Sequence, residues 1–265
     1  MKNATYYNEI EVYYNMDAQD YESRYWRNPI VQQMRQSFRE IVKQYPANTM
    51  LEIGCGIGMD IVHFGRTHPA RKIYGIDVSS EMIRLSSERI LKSGLTNIEL
   101  QKGSVEELKS LFPNQKFDIV YIFFGALNTV ENLNLAAQCI GEALNPGGIM
   151  VLSFVNKWYV TGMLIELIRF RFSKAFARFK PVWGGYSPVH YLPSHCYTPE
   201  QVKRAFPGMS VIARKGYAIV HPAWFYTKIN QKLGRIRRIL WRLDLLLDKT
   251  FLWRFGEYGL FVFKR

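Results

Sequence analysis

Three glycines at two-residue spacing carry the first chemistry in this chain: Gly54-Cys55-Gly56-Ile57-Gly58, preceded by Met50-Leu51-Glu52-Ile53. The apolar run reads as a short buried strand, and Ile61, Val62 and Phe64 open the apolar face of a helix directly after it. A strand that turns tightly into a helix exposes backbone N–H groups at the helix start, and glycines let a ligand approach that backbone. The segment therefore reads as a nucleotide-type binding turn; the plain alternative is a glycine-rich turn with no ligand. A dinucleotide fingerprint would place a third glycine where Met59 stands, which argues against that ligand. A Walker loop needs a Lys that does not follow here.

The elements around the turn extend the pattern. Lys72 to Val78 reads as a second strand ending in an acid, at about the spacing where a carboxylate meets ribose hydroxyls in a βαβ nucleotide site. Asp77 can accept two hydrogen bonds from a vicinal diol. Ser79-Ser80-Glu81 looks like a helix start, with Met82 and Ile83 opening its apolar face. Phe117 to Ile122 reads as a fourth strand. Leu144-Asn145-Pro146-Gly147-Gly148 ends a helix, Ile149 to Leu152 is a fifth strand, and Ser210–Ile219 and Tyr258–Lys264 are the final two. Strands alternating with helices predict a parallel α/β sheet.

In order and spacing, residues 35–155 resemble the core of the class I S-adenosylmethionine (SAM) methyltransferases, with Glu52-x-Gly54-x-Gly56-x-Gly58 as motif I. The resemblance implies an α/β three-layer sandwich around a mostly parallel seven-stranded sheet whose final strand is antiparallel. Helical additions follow strand 5 and separate the last two strands. It also implies SAM as cofactor and S-adenosylhomocysteine as product. Glu52 would help hold the methionine portion, Gly54, Cys55, Gly56 and Gly58 the turn around it, and Asp77 and Val78 the ribose. Met82, Gly103, Ser104, Val105 and Phe123 complete the cofactor set. Tyr14-Asn15-Met16-Asp17-Ala18-Gln19-Asp20-Tyr21 resembles the Y-x-x-x-A-x-x-Y segment of small-molecule members, which makes Tyr14 and Tyr21 lid residues. Two departures stand out. Many members have Gly-Asp where Gly103-Ser104 stands, leaving Ser104 or Glu106 for the adenine amino group. Small-molecule members often carry His-His where this chain has Gly125 to Val130; Asn128 there can orient a substrate or a water but cannot act as a base.

At 265 residues the chain is long enough for one large α/β domain. Within residues 1–265 the expected layout is lid helices over 1–34, a SAM-binding core over 35–155, and substrate-side helical additions over 156–200 and 220–255. Three cysteines without pairing or metal-ligand spacing suit a reducing cytosol, and no metal is expected. The polar, tyrosine-rich N-terminus does not read as a signal peptide, and no apolar run reaches the length of a spanning helix. The net charge is +13 and unevenly placed: residues 1–150 hold 15 Lys/Arg against 17 Asp/Glu, residues 151–265 hold 20 against 5. That asymmetry suggests an anionic partner, either nucleic acid or a membrane surface.

Two stretches give the C-terminal part its character. Val160 to Phe179 reads as one helix-like stretch, largely apolar but interrupted by basic residues. Lys228 to Leu247 carries Ile229, Leu233, Ile236, Leu240, Leu243 and Leu247 at near-heptad spacing among arginines, a basic amphipathic helix. It can lie in a headgroup interface with Trp241 and Trp253 as anchors, or pack its stripe on the sheet or a partner subunit. For chemistry on the acceptor, the loop Val189 to His195 offers His190, Tyr191 and His195, with His221 as another option and His190 the leading base. The leading reading is a SAM-dependent methyltransferase of a small apolar or amphipathic, lipid-like or anionic, acceptor. It would be cytoplasmic, with peripheral contact at an anionic membrane surface. The alternatives are an RNA or protein methyltransferase, disfavoured because no N/D-P-P-Y/F motif follows the fourth strand, and a SAM-fold binding protein without catalysis.

Overall fold

The computed structural model describes residues 2–185 and 191–265. Seven strands form a single sheet: β1 (Thr49–Ile53), β2 (Lys72–Asp77), β3 (Ile98–Lys102), β4 (Phe117–Ile122), β5 (Leu144–Val155), β6 (Ser210–Tyr217) and β7 (Tyr258–Lys264). Their order is β3-β2-β1-β4-β5-β7-β6. The first five run parallel, and β7 enters antiparallel between β5 and β6. This is the sheet expected from the sequence. Two large apolar clusters cover its faces. One gathers Leu51, Phe117, Leu152 and Phe263, the other Phe38, Phe64, Tyr121 and Val262, as strand alternation requires of a sheet covered on both sides.

Helices α1 (Lys2–Trp26) and α2 (Pro29–Val42) precede the sheet. Asn28 separates them. Its side-chain oxygen accepts from the Ile30 and Val31 N–H groups, and Pro29 takes the first helical position. The expected boundary at residue 35 thus falls inside α2, whose buried stripe of Ile30, Met34, Phe38 and Val42 belongs to the core. Next come α3 (Met59–Thr67), α4 (Ser80–Lys92), α5 (Leu108–Leu111) and α6 (Leu133–Ala143). Ser79 caps α4 through the Met82 N–H.

The C-terminal additions are helical but more broken than the sequence pattern suggests. Val160 to Phe179 is not one helix: α7 (Val160–Ile168) stops, α8 (Phe172–Ala175) is one turn, and a 3₁₀ turn follows. Phe170 takes a left-handed conformation, φ 56°, where the Phe170 N–H donates to the Leu167 carbonyl and the Arg171 N–H to that of Glu166. The basic stretch is likewise two helices, α10 (Thr227–Lys232) and α11 (Ile236–Leu247), because Gly234 sits at φ 48° between them. α9 (Pro199–Ala205) starts as its sequence predicts, with a capping box between Thr198 and Gln201. Trp253 is a core residue and Trp241 packs half-buried beside His221, so neither is the interfacial anchor that the sequence suggested. Among the described residues no helix is long and apolar enough to cross a membrane.

Candidate active site

The glycine turn is locked to the end of β2. The N–H groups of Gly54 and Cys55 both donate to the Ile76 carbonyl, and the Gly56 N–H donates to Asp77 Oδ2 at 2.8 Å. Asp77 Oδ1 accepts from the Ser79 N–H at 2.9 Å. The carboxylate therefore joins the turn, its own strand and the start of α4, and burial pushes its pKa up to about 6. A side chain at Gly56, φ 53°, would meet open space, because this residue lies on the wall of a cavity. At Gly58, φ 78°, a β-carbon would lie 2.4 Å from Ser86 Oγ on α4. Gly58 thus supplies the close packing that a dinucleotide fold asks of the position held here by Met59, which is instead buried in an apolar cluster with Tyr25, Ile57 and Met82.

Below the turn lies a small pocket of about 30 Å³ walled by Glu52, Arg35, Tyr21, Phe123 and Phe124. Tyr121 donates its hydroxyl to Glu52 at 3.1 Å. Burial, reinforced by nearby Asp60, holds the Glu52 pKa well above the usual carboxylate range. Arg35 is buried between the Tyr25 and Phe124 rings, 5.0 and 4.7 Å from their centroids, and is paired with Asp60. Asp60 also accepts from Arg39 Nε at 2.6 Å. Two guanidinium groups share one carboxylate there, and Arg35 Nε has no partner. The sequence reading passed over Arg35. Its signal was a cation one position after Met34 on the buried stripe of α2, where a charge must serve a pairing or a ligand.

Above the turn opens a cavity of about 920 Å³. The end beside the turn holds Gly54, Gly56, Asp77, Val78, Met82, Gly103, Ser104, Val105 and Phe123, together with Tyr14 and Tyr21 from α1. Glu52, Cys55 and Gly58 of the expected set stand behind this wall: Glu52 and Cys55 line the small pocket, and Gly58 packs on α4. Ser104 is committed to a capping box with Glu107, and Glu106 accepts the Tyr7 hydroxyl at 2.6 Å. α1 lies over this end and is latched by Asn15, whose Oδ1 accepts from Ser79 Oγ at 2.7 Å and the Glu81 N–H at 3.1 Å. Asn15 was inside the motif that flagged Tyr14 and Tyr21, yet its own role was not legible.

The far end is aromatic, with Phe124, Trp183, Trp224, Phe225 and Tyr258 in the wall. Ser194 also lines it; its hydroxyl is buried and without a partner. Asn128 departs from its expected role of orienting a substrate. Its side chain donates to the Val155 and His195 carbonyls and accepts from the Val155 N–H, so it clamps backbone together. His190 lies outside the described residues. Tyr191 is 63% exposed and is not in the cavity wall. His195 Nδ1 meets the Pro181 carbonyl at 2.7 Å, and His221 is buried against the Pro222 carbonyl, its pKa lowered by burial. Among the described residues no histidine lines the cavity and no cluster suits a metal ion.

Comparison with known proteins agrees with this geometry. A methyltransferase-domain family model matches residues 45–179, half of the chain. A demethylmenaquinone methyltransferase of Listeria welshimeri is 26% identical over 180 residues, 68% of this chain and 72% of that protein. An uncharacterized protein of Rickettsia prowazekii is 26% identical over 125 residues, 46% of this chain, and the chain spans only about half (49%) of that relative's length. The crystal structure of an S-adenosylmethionine-dependent methyltransferase from Mesorhizobium loti shares the fold, with a TM-score of 0.56 at 17% identity over 87% of this chain and 96% of that one. The chain belongs to the methyltransferase-domain family, as a class I enzyme whose cofactor is S-adenosylmethionine.

Proposed function

We propose that the enzyme methylates a small apolar or amphipathic molecule bound in the aromatic end of the cavity. One observation carries this reading: a single cavity of about 920 Å³ joins the glycine turn to the chamber of Trp183, Trp224, Phe225 and Tyr258. It is at the upper end of the size range of small-molecule sites, with room for an acceptor beside the cofactor. Flat aromatic walls favour an apolar body, and the Ser194 hydroxyl supplies one hydrogen bond for a polar group. The relative named for demethylmenaquinone supports a small-molecule acceptor.

The cofactor fits the residues present. Gly56 leaves the turn open to close approach, Asp77 suits the ribose diol, and Met82 with Val105 offers an apolar wall to the adenine. In the small pocket, Arg35 has a spare N–H and a surplus of positive charge around it, which suits the carboxylate of the methionine portion. Bound there, SAM supplies an electrophilic methyl group on a sulfonium, and its transfer needs alignment and exclusion of water. α1, held by Asn15 and by Tyr7 on Glu106, closes over that end and keeps water out. Phe123, Phe124 and Tyr258 orient the acceptor from the sheet side. His190, which lies outside the described residues, is the proposed source of a base where the acceptor needs one.

Calorimetry with SAM and S-adenosylhomocysteine, followed by transfer of labelled methyl to a panel of amphipathic small molecules, RNA and protein, tests this. Small-molecule product is expected, with His190→Ala reducing turnover while S-adenosylhomocysteine binding persists. Absence of binding to either cofactor form, or label appearing only in RNA or protein, would overturn the proposal.

A further inference from the structure

The two helical additions form a cap around residues 219–229. α7 packs Tyr159 and Ile165 on Ala223, Tyr226 and Ile229, and Thr161 donates to the Ile219 carbonyl. α11 hangs on the same segment, because Asp244 Oδ1 accepts from the N–H groups of Val220 and His221. The side of α11 that carries Trp241 and Asp244 faces the protein. Its opposite side is an apolar stripe, Ile236, Ile239, Leu243 and Leu246, at the spacing of one helical face and exposed along its whole length. α7 and α8 add Leu164, Ile168, Phe170, Phe172 and Phe176, all exposed, with Ile168 at 77% and Phe170 at 82%. Of the stripe expected from the sequence, Ile229, Leu233, Leu240 and Leu247 are half-buried, and only Ile236 and Leu243 belong to this exposed face.

Charge says what covers these faces. All five acids of residues 151–265 are engaged with the protein itself. Glu166, Asp244 and Glu257 are buried, Asp248 accepts the Gly216 N–H, and Glu200 pairs with Arg254. In α10, the turn after it and α11 stand Lys228, Lys232, Arg235, Arg238 and Arg242, all exposed and none of them within ion-pair distance of a carboxylate among the described residues. A second copy paired face to face on these stripes would bring the same cations against these. A nucleic acid would match the charge but leave the Ile, Leu and Phe side chains without an apolar partner. An anionic bilayer satisfies both features, taking the apolar side chains below its headgroups and the cations among them.

Phe170 gives independent support. It occupies the left-handed position that ends α7, where glycine is favoured and a bulky side chain is strained, and it gains no burial in return. A strained aromatic held in solvent points to a contact outside the chain. We propose that the outer faces of α7–α8 and α11 dock on an anionic membrane surface. Phe225, Thr227 and Gln231 of the same cap line the cavity. If the acceptor is the apolar molecule proposed above, docking would bring the cavity wall to where such molecules dissolve; the docking itself does not depend on that reading.

The test is co-sedimentation with phosphatidylcholine vesicles, with and without phosphatidylglycerol. Binding is expected only with phosphatidylglycerol and should weaken as salt rises. The triple variant Arg235→Ala, Arg238→Ala, Arg242→Ala should bind about 100-fold more weakly, at the usual gain per cation near an anionic surface. Phe170→Gly should also bind more weakly although its fold is relieved of strain, and both variants should keep S-adenosylhomocysteine affinity, which certifies the fold independently of any acceptor. Failure of the wild type to bind anionic vesicles, equal binding to neutral ones, tighter salt-sensitive binding to RNA, or a dimer abolished by Leu243→Glu in place of vesicle binding would each overturn the proposal.

Discussion

Asp77 makes two opposite pH predictions that can be separated. Its carboxylate is buried and accepts from the Gly56 and Ser79 N–H groups, and its pKa stands at about 6 against an ordinary 3.8. In the cofactor-free protein a raised carboxyl pKa favours the protonated folded state. The stability it contributes is full below the unfolded pKa and is lost as pH rises through about 6. A ribose diol donating to Asp77 needs the ionised form, so cofactor affinity should run the other way. The affinity should be nearly flat above about pH 7 and fall roughly tenfold per pH unit below about pH 6. Hydrogen bonds to a charged acceptor contribute about 1.5–3 kcal/mol each, so losing both in Asp77→Ala should weaken S-adenosylhomocysteine at least about 100-fold. Asp77→Asn is no substitute. One amide oxygen cannot serve both backbone donors, and the amide NH₂ would face the other N–H, leaving a buried donor unpaired at a cost of about 1–3 kcal/mol. Titration calorimetry across this range, with thermal unfolding of the free protein beside it, checks both trends. An affinity that ignores pH between about pH 5 and about pH 7, or an Asp77→Ala variant that binds like wild type, refutes the diol assignment.

Five further substitutions probe the scaffold of the site. Gly58→Ala places a methyl group 2.4 Å from Ser86 Oγ in a left-handed conformation, so urea unfolding should show a loss of about 2–4 kcal/mol, partly recovered by Ser86→Gly. Asp60→Asn leaves Arg35 and Arg39 without their shared charge, with an expected cost of about 3–5 kcal/mol in the same assay; a cost below about 1 kcal/mol would mean the pairing does not hold Arg35 in place. Asn128→Ala removes three side-chain bonds to the backbone of Val155 and His195, at about 1 kcal/mol each, and should lower the melting temperature; Asn128→Asp should be no better, since a carboxylate cannot donate to the two carbonyls.

The sheet and the glycine turn were legible in the sequence because each rests on local chemistry. The apolar runs of the strands, the left-handed glycines and the acid ending β2 are local features. The additions were less so. Gly234 reads as one more residue in an apolar periodicity, yet its backbone conformation splits that helix in two. Which side of α11 faces outward depends on Asp244 finding the N–H groups of Val220 and His221, a tertiary contact that no period predicts. Arg35 and Asn15 escaped for the same reason. Each is unremarkable among its neighbours in sequence, and each acquires meaning from a partner brought close by the fold, Asp60 for one and the start of α4 for the other. Asn128 shows the converse, a polar residue at a family-marked position whose hydrogen-bonding capacity is taken up by backbone.

The position of β7 bears on how the enzyme comes into being. β6 touches the sheet through β7 alone, and β7 joins it through β5, so this one antiparallel seam closes residues 156–257 into a loop. Closing a loop of this size costs about 4 kcal/mol of chain entropy, and contacts so distant in sequence form late. The glycine turn, α3 and β2 need none of this, since their pairings lie within the first five strands. The aromatic chamber and the outward faces of the cap are thus the parts of the molecule that rest on its most distant strand pairing, while the turn beside β2 rests on nearer ones.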